Sequence, residues 1–348
     1  MKKFRPLIGI FSVAFFVFAM SACCALKRSV HNERDVYEKI GQAQAFFNGA
    51  EKYKDVYPDE FRQTEENLNK ARIQAEKCNR DEAFSNAADS VELSDQILKK
   101  AAGDTRKQAE KQKEEVKEIV KNFPDTSLKD LLSELDEIIE YAKEIENKRQ
   151  NLSLDDIGKI QNGRGKTEIA KGTLESLRQE TIASDVSFSI GKYKIADMSD
   201  KGKQNLKRTV KGIIDAKNAY LKGITNKKGS LTVRIETLGY TDELPFAEGT
   251  KLVKELERGT TRVSRTHSEK RRKALNMNLS YFRAETIGNY IKHLLETEDN
   301  NLTVQTQPIG YGEERMPPNV DEPYPTDDSR RRVCIINSYC LFTEDVSK

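Results

Sequence analysis

The pattern of hydrophobic and polar positions changes twice along the 348-residue chain. Residues 7–20 form an almost uninterrupted apolar run. From residue 35 to about residue 178, apolar side chains recur every three or four positions, which predicts amphipathic helices. After residue 184, apolar and polar side chains alternate in several short segments, which indicates strands between further helices. The sequence therefore predicts an α+β protein with a helical N-terminal part and a mixed C-terminal part.

The first helical segment, residues 35–122, predicts a bundle. Its apolar positions form narrow faces rich in alanine, and small side chains allow helices to approach each other closely. One of these faces consists of Ala83, Ala87, Val91, Ser94, Leu98 and Ala101. We therefore expect a helical bundle or coiled-coil stalk in this part of the chain.

The second helical segment, residues 123–183, predicts a helical stalk or linker. Pro124 interrupts the helical pattern, and Ser127 is suited to cap an amphipathic helix over about residues 128–148. Three glycines at positions 158, 163 and 165 predict a less regular stretch before a weaker helix near residues 169–177. Two interpretations remain open: a stalk that binds a protein partner, and a solvated bundle without a specific ligand.

The C-terminal segment, residues 184–342, predicts a separate compact domain. Strands are expected at about 186–193, 231–239, 302–306 and 333–336, with helices at about 199–219 and 279–295. The resulting order, βαβαβ–β, predicts a two-layer α/β sandwich of about 150 residues. Residues 343–348 remain as a short tail.

Four short motifs occur at the ends of these elements: Gly239–Asp242, Asn276–Ala284, Gly310–Glu313 and Arg331–Val333. In this order they resemble the G-x-T-D, N-x-x-L-S-x-x-R-A, G-x-G-E and N-R-R-V signatures of the OmpA-like peptidoglycan-binding family. One such motif is weak evidence, whereas four in the expected order and element context are specific. The resemblance covers residues 184–342 and implies an OmpA-like sandwich that binds peptidoglycan.

The resemblance also implies a ligand site. Peptidoglycan stem peptides carry a diamino acid with an ammonium group and carboxylates. Asp242 would face the ammonium, and Arg283, in the first turn of its helix, would hold a carboxylate beside the positive helix terminus. Thr241, Asn276 and Arg331 match family positions that line or brace the same cleft. The alternative is that Asp242 and Arg283 only pair with each other and stabilise the fold.

Two departures from the family pattern affect the same region. Asp242 and Arg283 lie 41 positions apart, farther than in the family, because residues 243–273 form a basic insertion with nine cations and five acids. A solvated flap is the expectation for such a charge run, and a contact with an anionic glycan, a lipid headgroup or an acidic partner is the alternative. Arg330 also replaces the Asn that usually begins the last motif.

The N-terminus has the layout of a secretory signal peptide over residues 1–22. Basic residues at positions 2, 3 and 5 precede the apolar run, and Ser21 and Ala22 precede Cys23. The segment resembles a lipobox, which implies acylation of Cys23, with residues 23–34 as a linker. An uncleaved anchor over residues 7–26 and an ordinary signal peptide remain alternatives. Each of the three exports the rest of the chain.

Composition argues against several classes of function. A formal net charge of +3, from 59 basic and 56 acidic residues, gives no argument for nucleic-acid binding. His31, His267 and His293 are the three histidines, and their positions offer no metal-ligand spacing. We therefore expect no metal, no cofactor and no enzymatic activity. A wall hydrolase would need a catalytic carboxylate pair or a Cys/His set, and none is recognisable in the sequence.

Together these patterns predict a non-catalytic lipoprotein of the cell outer membrane that faces the periplasm and tethers the membrane to peptidoglycan. The lipid on Cys23 would provide the membrane contact, and the helical part would span the gap to the wall. The alternative is an assembly or scaffold component of an envelope, secretion or motility complex. In that case the stalk recruits a protein partner and the wall contact only positions it.

Overall fold

The computed structural model of the protein describes residues 29–183, 188, 191–223, 229–264, 267–318, 320 and 325–344. The predicted signal peptide and Cys23 lie outside the described residues, as does most of the predicted tail. No helix within these ranges is both long enough and apolar enough to cross a bilayer.

The described chain contains helices in its first half and a mixture of helices and strands in its second half. The first-half elements are α1 (Glu33–Ala50), α2 (Pro58–Glu76), α3 (Arg80–Asn122), α4 (Lys129–Glu146) and α5 (Leu154–Ser176). The second-half elements are β1 (Arg178–Ala183), α6 (Asp200–Gly223), β2 (Gly229–Tyr240), α7 (Lys251–Leu256), α8 (Ser268–Glu298), β3 (Thr303–Gly312) and β4 (Val333–Glu344). The protein is therefore of the α+β class, as the hydrophobic pattern predicted.

Contacts divide the chain into two compact units. The first unit comprises residues 29–113 and 132–167, and the second comprises residues 114–131 and 168–344. Residues 114–131, which the sequence pattern had placed in the bundle and the stalk, thus pack within the second unit.

The first unit is a helical bundle with a core rich in alanine. The predicted face of α3 is buried at every position, because Ala83, Ala87, Val91, Ser94, Leu98 and Ala101 are all at most 3% exposed. Phe46 of α1, Leu68 of α2 and Ile160 of α5 pack into the same core. The expectation of closely packed helices in this part of the chain is confirmed.

Helix α5 corrects one expectation. The glycines at positions 158, 163 and 165 do not interrupt it, because the helix runs from Leu154 to Ser176 without a break. Gly163 packs against the hydroxyl end of the Tyr141 side chain, and a Cβ at this position would lie 1.2 Å from the hydroxyl oxygen. Glycine at this position allows the two helices to pack closely, and this packing compensates for the low helix propensity of glycine.

The second unit is built on a four-stranded mixed sheet with the order β1-β4-β2-β3. Strand β4 is antiparallel to both β1 and β2, and β2 is parallel to β3. Helices α6 and α8 cover one face and share a core with the inward residues of all four strands, among them Val233, Ile235 and Ile336. The order of elements is the predicted βαβαβ–β with the short helix α7 added.

The first strand of this sheet is not where the sequence predicted it. Strand β1 occupies residues 178–183 instead of 186–193. Of the predicted segment, residues 188 and 191–193 are described, and Phe188 forms an isolated bridge with Met198. The strand was missed because it is an edge strand of mostly polar residues, in which Ile182 is the one buried side chain.

The opposite face of the sheet is covered by residues 123–128, the connection between α3 and α4. Phe123 packs with Leu238 and Tyr311 in a second apolar cluster. The Ser127 backbone N–H and hydroxyl donate to Glu236 Oε1 at 2.8 and 3.0 Å, and the Tyr339 hydroxyl donates to the same oxygen at 2.6 Å. The expected capping role of Ser127 is therefore wrong, because a fully buried carboxylate on β2 binds its side chain instead.

The start of α5 combines a helix cap with a partly buried ion pair. The Ser153 backbone N–H donates to Asp156 Oδ2 at 2.6 Å, and the Asp156 N–H donates back to Ser153 Oγ at 3.1 Å. Lys148 Nζ donates to Asp156 Oδ2 at 2.6 Å. Burial opposes ionisation of this carboxyl, but the bonds from Lys148 and Ser153 outweigh it and lower the pKa of Asp156 to about 2.

We expect Asp156→Ala to lower the free energy of unfolding by about 1–2 kcal/mol at pH 7, since it removes the capping bonds and the ion pair. A depressed pKa contributes stability above the ordinary value of 3.8, and this contribution disappears as the pH falls towards 2. Urea unfolding at pH 7 and pH 3 measures both effects. Asp155→Ala is the matched control, because its side chain is 76% exposed and its pair with Lys159 contributes little. Equal losses in the two variants would contradict the prediction.

Candidate functional site

The candidate site forms where α8 passes very close to the C-terminal ends of β2 and β3. A Cβ added to Gly239 would lie 2.1 Å from the backbone oxygen of Ser280, and one added to Gly310 would lie 2.6 Å from the backbone oxygen of Met277. The Gly312 N–H also donates to Ser280 Oγ at 2.9 Å. The glycines of two sequence motifs therefore allow the third motif, on α8, to pack against the sheet.

Glu313 connects three of the four motifs. Its side chain is 2% exposed, and its Oε2 accepts a hydrogen bond from Asn276 Nδ2 at 2.6 Å. Arg272 Nη2 donates to Glu313 Oε1 at 2.7 Å. Arg331 Nη2 donates to the backbone oxygen of Glu313, also at 2.7 Å. Glu313 and Arg272 were not among the candidate site residues, although Glu313 ends the G-x-G-E motif.

Two candidate residues lie inside this network rather than on a ligand-accessible surface. Arg331 is fully buried, and its Nη1 also donates to Glu243 Oε1 at 2.9 Å. The Thr241 N–H donates to the backbone oxygen of Gly312 at 2.9 Å. The Thr241 hydroxyl is buried without a hydrogen-bond partner among the described residues. These contacts hold the ends of β2, β3 and β4 together.

Asp242 pairs with a residue that the sequence did not single out as a ligand-binding group. Its Oδ2 accepts a hydrogen bond from Arg332 Nη1 at 2.7 Å. The Asp242 side chain is 7% exposed and that of Arg332 is 24% exposed, so the arginine is the more accessible partner. The ion pair of Asp242 is thus made with Arg332 and not with Arg283. The signal in the sequence was the second arginine of the Arg331–Val333 motif.

Arg283 does not lie in the first turn of its helix. Helix α8 begins at Ser268, fifteen positions earlier, so the positive end of the helix is too far away to act on a carboxylate held by Arg283. Arg283 is 3% exposed, and its Nε donates to the backbone oxygen of Lys192 at 3.1 Å. Its guanidinium carbon lies 6.0 Å from the centroid of the Phe188 ring. Arg283 therefore anchors the segment before α6.

Residues 243–264 of the basic insertion form a layer packed on α8, and residues 268–273 are the beginning of α8 itself. Its helix α7 buries Val253 and Leu256 against Leu275 and Leu279 of α8. The fully buried Asn278 side chain donates to the backbone oxygens of Leu256 and Thr261, both at 2.8 Å. It also accepts from the Thr261 N–H at 2.8 Å. The expected solvated flap is therefore wrong for the described residues of the insertion.

The insertion also contacts the segment that holds Arg283. Glu255 accepts hydrogen bonds from the Tyr193 hydroxyl at 2.7 Å and from Lys194 Nζ at 3.0 Å. Burial and the bond to Glu255 raise the pKa of Tyr193 to about 12. The Tyr193 ring also packs on Phe282, with 5.1 Å between the ring centroids. Helix α7, the residue 191–194 segment and α8 thus form one continuous layer.

The structure brings some candidate residues together and separates others. Asn276 and Arg331 share Glu313, whereas Asp242 pairs with Arg332, and Arg283 bonds to Lys192. A cavity of about 360 Å³ lies beside this network. It is lined by Pro245, Phe246, Glu248, Ser268, Glu269, Arg271, Arg272 and Leu275. No group of three or more His, Cys, Asp or Glu side chains in the described part of the chain is arranged to hold a metal ion.

No protein-family model matches the chain, and no curated protein is significantly similar to it.

We expect Gly239→Ala to destabilise the second unit by about 1–3 kcal/mol or more, because its Cβ would clash with the α8 backbone. The matched control is Gly212→Ala on α6, where a Cβ would meet nothing within 4 Å. That substitution should stabilise by up to about 1 kcal/mol through helix propensity. Thermal and urea unfolding compare the two variants. Similar stabilities would show that close packing at Gly239 is not required.

Proposed function

We propose that the protein is a non-catalytic envelope lipoprotein whose second unit is an OmpA-like domain that binds the stem peptides of peptidoglycan. The observation that carries this proposal is the spatial convergence of four motifs that are dispersed over residues 239–333 of the sequence. Glu313 bonds to Asn276 and Arg331, and Asp242 bonds to Arg332 next to it. Residues that serve only to build a sheet and its helices do not require this concentration of buried, paired charges.

The chemistry of these groups suits a ligand with both an ammonium and a carboxylate. Asp242 is an acceptor for an ammonium, and Arg332 is a planar donor with a partly exposed side chain. Because the two already pair at 2.7 Å, a ligand of this kind would exchange one internal ion pair for two external ones. A ligand with only one of the two charges would leave a partner unpaired, which is costly at a buried site. This favours a zwitterionic diamino acid over a simple amine or acid.

The membrane contact in this proposal is a lipid on Cys23, which lies outside the described residues. The apolar run and the small residues before Cys23 support it, as does the basic start of the chain. The helices of the first unit would then separate the lipid from the wall contact. The competing proposal of an assembly component shares the anchor and differs in the role of the first unit.

Sedimentation of the detergent-solubilised full-length chain with isolated sacculi tests the wall contact. We expect the parent to bind, and Asp242→Asn to weaken binding by at least about tenfold, since it removes a charge-assisted hydrogen bond to the ligand. Arg332→Lys should also weaken binding, because lysine cannot replace the planar fork of the guanidinium that pairs with Asp242. Soluble muropeptides released from the sacculi would contradict the absence of enzymatic activity.

The matched controls remove or exchange the same charges elsewhere. Asp215 and Arg208 lie exposed on α6, so Asp215→Asn and Arg208→Lys should bind sacculi as the parent does. Unfolding midpoints of all variants separate lost binding from lost folding. A folded parent that stays in solution would refute the wall contact and favour the assembly proposal. Capture of a partner by the first unit alone would then be the next measurement.

We expect Cys23→Ser to abolish incorporation of labelled palmitate into the chain, because the thiol is the acceptor of the lipid. Globomycin should block processing of the parent and leave the variant unaffected. Cys340→Ser, which removes a free thiol and leaves the predicted lipobox intact, is the control and should retain the label. Label that persists in Cys23→Ser would refute the lipobox, and an unprocessed chain in the absence of globomycin would support the uncleaved anchor.

A further inference from the structure

The acids of the basic insertion are all engaged in ion pairs with specific cations. The pairs are Glu243 with Arg331 at 2.9 Å, Glu248 and Glu257 with Arg271 at 2.9 and 2.7 Å, Glu255 with Lys194 at 3.0 Å, and Glu269 with Lys273 at 3.0 Å.

Five exposed cations of the insertion therefore remain without an ion pair to any described residue. They are Lys251, Lys254, Arg258, Arg262 and Lys270, which we call the cationic face. Ordinary surfaces intersperse both signs, so a local excess of unpaired positive charge indicates a surface that attracts anions.

The fold directs these charges outward and keeps them near one another. Lys251, Lys254 and Arg258 follow each other at steps of three and four, so they share one side of α7 and its C-terminal end. The other side is pinned to α8 by the buried Val253 and Leu256. The Glu257–Arg271 ion pair joins the end of α7 to the first turn of α8, where Lys270 lies.

The scaffold under these charges is held in place by hydrogen bonds to a buried side chain. Asn278 fixes the chain on both sides of Gly259 through its bonds to Leu256 and Thr261. A mobile loop would lose conformational entropy on binding an anionic partner, whereas a pinned helix has already lost it. The cationic face is thus preorganised for a partner with several spaced negative charges.

The position of the face favours one partner. Both ends of the insertion join the network of the candidate site, because Glu243 pairs with Arg331 and Arg272 pairs with Glu313. A polymer bound at the candidate site would therefore continue across the neighbouring cationic face. We propose that the cationic face is a second, electrostatic contact with the carboxylates of the same wall polymer, an inference that rests on the proposed function.

The test compares sacculus sedimentation of the full-length parent with that of Lys251→Gln/Lys254→Gln/Arg258→Gln over a series of salt concentrations. We expect the triple variant to bind on the order of tenfold more weakly at low salt, as the sum of three exposed ion pairs. Its affinity should also depend less on salt than that of the parent. Lys201→Gln/Lys207→Gln/Arg208→Gln, which removes three exposed cations from α6, is the matched control and should behave as the parent.

The outcomes separate this inference from the proposed function. A parent that fails to sediment with sacculi refutes the wall contact and the cationic face with it. A parent that binds while the triple variant binds equally, with the same salt dependence, refutes the cationic face alone. Equal loss in the triple variant and the α6 control would assign the effect to net charge and also refute it. Vesicles of phosphatidylglycerol provide the last comparison, and a triple variant that loses only vesicle binding would make the face a membrane contact instead.

Discussion

The close approach of α8 to the ends of β2 and β3 is the constraint on which the second unit depends. At Gly239 and Gly310 the helix backbone occupies the space in which any other residue would place its Cβ. Because of this contact, the residues that follow β2 and β3 meet the middle of α8, and Asn276 reaches Glu313. A side chain at either glycine would separate the helix from the sheet and disperse the network.

The network itself follows from the rule that buried charges require partners. Arg331 is fully buried and bonds to Glu243 and to the backbone of Glu313. Removing either partner would leave an uncompensated charge in a poorly hydrated environment, which costs far more than the pair contributes. Of Arg331 and Arg332, the second keeps a partly exposed side chain, at 24% against 0% for Arg331. This difference in exposure sets apart the residue that braces the fold from the one able to meet a ligand.

The insertion shows how a charged segment becomes part of a domain. Two apolar side chains, Val253 and Leu256, provide burial, and Asn278 satisfies the backbone groups of the turn after them. The acids of the insertion bind specific cations, so the remaining positive charge is concentrated on its outer side. The contacts that hold the insertion against α8 therefore also leave its unpaired cations on the outer surface.

The sequence by itself determined the class of fold, the alanine-rich faces of the bundle and the order of the elements in the second unit. These features follow from local periodicity, because a buried face imposes a repeat of 3.6 or 2 residues on any helix or strand. It also identified Asp242, Asn276 and Arg331 as members of one region through their motifs, and Asn276 and Arg331 do meet at Glu313.

Only the tertiary structure decided which partner each polar group takes. Strand β1 was missed because an edge strand with one buried residue has little periodic signal. Ser127 was assigned to a helix cap because its actual partner, Glu236, lies 109 positions away and is not visible in the local sequence. The extension of α8 back to Ser268 displaced Arg283 from the helix terminus, and the pairing of Asp242 with Arg332 spans 90 positions. Hydrogen bonds and ion pairs between residues this far apart in the sequence depend on how whole elements pack, and no local pattern encodes them.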